Sequence, residues 1–322
     1  IEKKPLRVDG KNRNKRSVGQ FKKKKYKKII ALFCAALLAL FTTSCTPRET
    51  EAQPVTYRIV ASFYPIYFMA LNLTQGLPDV EVTDMAGQQT GCLHDYQLQS
   101  KDVQALARAD VFAINGAGME SFLTRVTDQL PDLQILDSSA GIPVLQSGEG
   151  GAESENPHLW VSISNYIKQV ENLADGLAAD DPAHADAYRE NAAVYIEKLS
   201  SLRSRMHETI DPLPNRDIVT LHEAFPYFAE EFGLTIVGTV QREPDSQPSA
   251  RELADTIRLI RSTGVKAVFA EPQYDASAAQ ILSQESGAAF YTLDPGATGP
   301  DDPDAYLDAM EQNRVVLQKA LA

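Results

Sequence analysis

The chain is poor in cysteine, histidine and tryptophan, with three, five and one respectively. Three cysteines, one of them (Cys34) inside an apolar leader-like stretch, cannot build the disulfide framework of a small secreted domain, and spacing does not favour a Cys45–Cys92 bridge over two separate roles. Positive charge is scarce where a nucleic-acid binder would need it: residues 45–322 hold 18 Lys/Arg against 41 Asp/Glu, a net charge of -23. Binding to phosphate backbones draws mostly on Lys and Arg, so this balance argues against nucleic acid as a partner. Such a surface attracts cations instead. Neither a His-Glu-x-x-His nor a nucleophile-elbow pattern is present, which removes the commonest signs of a hydrolase.

What is there begins with a basic stretch, 13 Lys/Arg against 2 acidic residues over positions 1–28, followed by an apolar run of 13 residues from 29 to 41. A bilayer span needs about 20 apolar residues, so this run suits a signal peptide. It ends in Thr42-Thr43-Ser44-Cys45, which resembles a bacterial lipoprotein signal with Cys45 lipidated; the alternative is a plain secretory signal cleaved nearby. Either way the protein is expected outside the cytoplasm, and in the first case anchored by lipid to the cell membrane. The expected divisions are a basic extension and signal peptide (1–44), a lipidated cysteine and tether (45–56), an N-terminal α/β lobe (57–164), a helical connector (165–212) and a C-terminal α/β lobe (213–322).

Within the lobes, strand-like and helix-like patterns alternate. Strands are expected at 57–63, 80–83, 111–115 and 133–136, with helices at 64–73, from Ser100 as cap, and at 119–129. Alternation of this kind implies a parallel sheet covered by helices on both faces. Residues 165–210 read as helical, broken near Asp180-Asp181-Pro182, with Pro182 suited to the first turn of a second helix on the order of 40 Å long. Strands at 218–221, 235–240, 267–270 and 290–293 then alternate with helices at 225–232, 249–261 (Ser249 as cap), 276–284 and 304–321. The fold class is α/β: two lobes, each with a parallel-type sheet flanked by helices, joined by one long rigid helix. No sequence repeat between the lobes is visible.

Three histidines stand at junctions between irregular or strand-like runs and helical patterns: His94 in Gly91-Cys92-Leu93-His94, His158 in Asn156-Pro157-His158, and His222 in Leu221-His222-Glu223. His184 and His207 lie in polar helical stretches and read as surface residues. Glu271 and Asp294 each follow a buried strand, at the end where sites in open parallel sheets gather. For Glu271 a helix cap is an equal alternative, and Asp294 is the better candidate. Three imidazoles and one carboxylate suit tetrahedral zinc, whereas manganese favours more oxygen donors.

In this order, the segments 91–96, 156–160, 221–228, 269–273 and 293–295 resemble the motif series of the zinc- and manganese-binding substrate-binding lipoproteins of ABC importers, the cluster A-I family. The resemblance covers residues 57–322. It implies two lobes around a metal, with His94, His158, His222 and Asp294 as ligands; Glu271, Glu223 and Cys92 are this chain's candidates for a place close behind them. The manganese branch tends to carry Glu where His222 stands, so the chain is most similar to the zinc branch. The cargo implied is Zn2+, with Mn2+ as alternative, and the partners are an ABC permease and its ATPase, the protein itself being a monomer. The chain departs from the family in having Leu93 rather than Pro before His94, Gln97-Leu98 rather than Glu-Pro after it, and no histidine in the loop at 147–156. Cys92 is unusual beside such a site, and reads more readily as a small buried thiol than as a ligand.

The expected function is capture of zinc and its delivery to a permease, with no catalysis. Protonated histidine cannot ligate, so affinity should fall below the ordinary imidazole pKa of about 6.5. Rival readings are manganese or iron uptake, a zinc hydrolase with Asp294 or Glu223 as base, and an adhesin-like surface protein.

Overall fold

The computed structural model describes residues 54–87, 92–93, 96–147, 154–240, 248–273 and 275–322. Cys45, the signal segment and His94 therefore lie outside the described residues.

Two four-stranded parallel sheets organise the chain. The first contains β1 (Tyr57–Ala61), β2 (Val80–Asp84), β3 (Val111–Ile114) and β4 (Gln134–Asp137), in the order β2-β1-β3-β4. A two-stranded antiparallel ladder, β5 (Gln146–Ser147) and β6 (Ser154–Glu155), follows it. The second sheet contains β7 (Asp217–Thr220), β8 (Thr235–Thr239), β9 (Ala267–Ala270) and β10 (Ala289–Thr292), in the order β8-β7-β9-β10. Counted from the first strand of each lobe, the two orders are the same. Burial explains which strands are central. β3 (Val-Phe-Ala-Ile) and β9 (Ala-Val-Phe-Ala) are buried at every residue, as strands covered on both faces must be, whereas β4 and β10 are exposed at both ends.

The helices are α1 (Tyr64–Leu73), α2 (Ser100–Leu106), α3 (Leu123–Gln129), α4 (Ile163–Asp180), α5 (Ala185–Ile210), α6 (Pro226–Phe232), α7 (Ala250–Thr263), α8 (Ser277–Ser286) and α9 (Ala305–Leu321). Ser249 caps α7 as expected, accepting the Glu252 N–H at 3.2 Å. Three expectations need correction. Ser100 is the first residue of α2 and not its cap. The Asp102 carboxylate reaches back to the Gln99 N–H (2.7 Å), which sets the helix start one residue earlier. α3 is four residues shorter than its apolar pattern, because residues 116–118 all take positive φ and lead into turns before Leu123. Pro182 stands in the turn before α5, not in its first turn. There His184 is the residue preceding the helix, held by Asp181 (2.6 Å) and Asp79 (3.4 Å) rather than free in solvent.

With 26 residues, α5 is about 39 Å long. Its buried stripe, Tyr188, Ala192, Tyr195, Leu199, Leu202, Met206 and Ile210, advances by three or four residues and so stays on one face. That face meets α1 and α4 from the first half and α9 from the second. One hydrophobic cluster consequently runs from Ile59 and Phe112 through Tyr195 to Phe269 and Leu317. Hydrogen bonds add to it: α1 donates from Tyr64 Oη to Pro300 O (2.9 Å) and from Asn72 Nδ2 to Pro303 O (2.8 Å). Among the described residues, no helix is long and apolar enough to cross a membrane.

Candidate metal centre between the lobes

The site starts where the central strands of the second sheet end. The Leu221 N–H still bonds to Phe269 O (3.0 Å), and one residue later His222 leaves the ladder. Glu271 follows β9 directly beside it. The order of strands changes direction between β7 and β9, which is where an open parallel sheet leaves a crevice. Both side chains are buried, His222 at 2% and Glu271 at 3% exposure. Nδ1 of His222 lies 2.9 Å from Glu271 Oε1, and the other carboxylate oxygen accepts from Gln273 Nε2 at 2.8 Å. A carboxylate can only accept, so Nδ1 carries the proton and Nε2 keeps its lone pair. Glu271 thus orients an imidazole and caps no helix.

His158 is held in a different way. It stands just before a short 3-10 turn, Leu159–Val161, and Asn156 Oδ1 accepts from both its backbone N–H and its ring Nδ1, each at 3.0 Å. The orientation of that amide is fixed because Asn156 Nδ2 donates to Glu223 O (3.0 Å). Asn115 Nδ2, at the end of β3, donates to Pro157 O (2.9 Å), and Tyr227 Oη donates to Asn156 O (2.7 Å). The segment is therefore fastened to strand ends of the first sheet and to the β7–α6 connection of the second. Trp160 continues the seam by donating Nε1–H to Pro295 O at 2.8 Å.

The rings of His158 and His222 lie 4.9 Å apart and nearly perpendicular. Cys92 Sγ lies 3.6 Å from His158 Nε2, and the donor atoms of Cys92, His158 and His222 are all within 4.8 Å of one another. Asp294 is half-buried, with its Oδ1 accepting the Gly296 N–H at 2.8 Å. Its carboxyl is pushed up, first by burial and then by the negative charge of Glu271. Glu223 is half-buried and joins the site through its carbonyl rather than its carboxylate. Sequence reasoning missed Asn156 and Asn115 as orienting residues. The only signal for Asn156 was its place before Pro157, which holds the chain extended there.

The family model described as "ZnuA: Zinc-uptake complex component A periplasmic" matches residues 59–320. The chain belongs to this family. Its members are metal-binding transport components and not enzymes, which overturns the hydrolase reading. Among curated relatives, the chain is 29% identical to the zinc-binding lipoprotein AdcA of Streptococcus pneumoniae over 309 residues, covering 91% of this chain and 61% of that one. It therefore spans about three-fifths of that relative's length. It is 27% identical over 295 residues to the manganese-binding lipoprotein MntA of Halalkalibacterium halodurans, covering 89% and 96% of the two chains. Of solved structures, FpvC from Pseudomonas aeruginosa in complex with Mn2+ superposes with a TM-score of 0.75 at 27% identity, covering 82% of this chain and 98% of that one. The two-lobed α/β architecture read from the sequence is the fold of these proteins.

Proposed function

We propose that this protein captures zinc outside the cytoplasmic membrane, to which lipidated Cys45 anchors it, and delivers the ion to the permease of an ABC importer. His94, His158, His222 and Asp294 are the proposed ligands. The observation that carries this reading is the pair of buried imidazoles, one on each side of the crevice. Each has its Nδ1 engaged by an acceptor, and a ring nitrogen of each lies in one small group of donor atoms within 4.8 Å of one another. Relatives named for zinc and for manganese are both similar to this chain. The donor set favours zinc, since imidazoles suit it well and manganese prefers carboxylates and water.

The test is a chelator-competition titration with zinc and manganese on the wild-type chain and on His222→Ala. Outer partners of metal ligands are typically worth roughly 10–100-fold in affinity, so loss of a ligand should cost zinc affinity more than about 100-fold. Unchanged zinc affinity in His222→Ala would remove the ligand assignment, and tighter manganese than zinc binding in the wild type would replace zinc by manganese as the cargo.

A further inference from the structure

Cys92 precedes His94 by two residues, on the connection between β2 and α2. Its neighbour Leu93 is fully buried, and the cysteine itself packs against the main hydrophobic cluster, so the loop is anchored where the thiol meets the crevice. Ordinary core packing does not require the sulfur to face two imidazoles. Here Sγ is 3.6 Å from His158 Nε2, with the donor nitrogen of His222 inside the same 4.8 Å cluster. A tetrahedral zinc ion with sulfur at about 2.3 Å and nitrogen at about 2.0–2.1 Å has a sulfur–nitrogen edge of roughly 3.6 Å. The Asn156 hydrogen bond holds Nδ1 of His158 and leaves its Nε2 toward the sulfur, and Glu271 holds Nδ1 of His222, so donors from three separate chain segments lie in one cluster.

We propose that Cys92 is a direct sulfur donor to the captured metal and that it biases the site toward zinc and other thiophilic divalent ions, and against manganese. The proposal rests on the capture reading above and adds a ligand to it. On capture, the thiol proton leaves to solvent and a sulfur lone pair enters the metal–sulfur bond. Thiolate is a soft ligand that suits zinc, whereas manganese is best served by carboxylate, carbonyl and water oxygens. Cys92 then discriminates between the two metals for which similar proteins are named.

The experiment loads the full chain with cobalt(II), which occupies zinc sites and reports its ligands in the absorption spectrum. The wild type should show visible d–d bands of a tetrahedral ion together with an intense near-ultraviolet thiolate-to-cobalt charge-transfer band. Cys92→Ser should keep the d–d bands and lose the charge-transfer band. Its zinc-to-manganese affinity ratio should fall at least about 10-fold, the lower end of what even an outer partner of a metal ligand is worth. Two outcomes overturn the proposal: d–d bands without a charge-transfer band in the wild type, or a band that survives in Cys92→Ser and so arises from another cysteine. The wild-type spectrum needs no variant, so it decides even if Cys92→Ser does not fold. Absence of any cobalt or zinc binding by the wild type overturns the capture reading, and the sulfur ligand with it.

Discussion

The two lobes share one strand order but use their strand ends differently. In the second lobe, Leu221 N–H bonds to Phe269 O and Leu293 N–H to Ala270 O; in the first, Ser62 N–H bonds to Ala113 O and Ser138 N–H to Ile114 O. These bonds align Phe63 with His222, Asn115 with Glu271 and Ser139 with Asp294. Where the second lobe carries an imidazole and the carboxylate that orients it, the first carries an aromatic ring packed edge-on to Trp160 and an amide that holds Pro157 O. Equivalent positions of one scaffold thus hold a buried histidine–carboxylate pair on one side and structural contacts on the other. The first lobe presents its histidine from a separate segment, and its strand ends serve to hold that segment in place.

If this division is right, changes on the first side should cost stability and changes on the second should cost metal affinity. The largest expected effect is at Glu120, whose two carboxylate oxygens accept the backbone N–H groups of Asn115 (2.9 Å) and Gly116 (3.1 Å). Gly116 has φ +79°, and a side chain there would collide with Asp137, so this strand end admits little else. Burial pushes the Glu120 carboxyl up from 4.5 to about 7. The folded chain keeps a proton that the unfolded chain gives up, so the stabilisation from this group is complete below pH 4.5 and is lost as pH rises through about 7. At about 1.4 kcal/mol per pKa unit, the loss is about 3 kcal/mol. Urea midpoints should fall between pH 5 and 7.5 in the wild type and fall less in Glu120→Gln; parallel curves would show that the buried carboxyl does not govern this strand end.

Next in size is Glu271→Gln, which keeps an acceptor for His222 Nδ1–H but removes the negative charge behind the ring. Zinc affinity should drop by roughly 10–100-fold. Removing a buried charge should leave the metal-free chain at least as stable as before. A thermal melt without metal showing a large loss would blur the contrast between the lobes.

Asn115→Ala should do the reverse. It strips partners from Pro157 O and from Gln169 Nε2, both buried, at a cost of about 2 kcal/mol. The accompanying change in zinc affinity should stay under about 10-fold, below the range typical of residues that orient a ligand directly. Affinity falling further than stability would place Asn115 in the metal site proper and end the division.

Much of this was legible in the chain itself. The alternation of apolar strands with helical patterns, the long helix and the Ser249 cap are local or near-local signals, and the structure reproduces them within a few residues. His158 and His222 could be singled out because a histidine at a junction between regular elements contrasts with one inside a polar helix, although His184 turned out to be tied to two aspartates. The pairing of strand ends was not legible. Phe63 and His222, or Asn115 and Glu271, share no residue type, and their correspondence appears only in the hydrogen-bond register.

Composition, charge and pattern alone determined the α/β class, and they singled out a small set of side chains suited to meeting a cation. The tertiary structure decided how those side chains are used, because orientation depends on partners distant in sequence. Glu271 lies 49 residues from the ring it holds, and Cys92 lies 66 residues from His158. A cysteine that reads along the chain as a small apolar filler becomes a donor candidate only when folding brings two directed imidazoles to its sulfur.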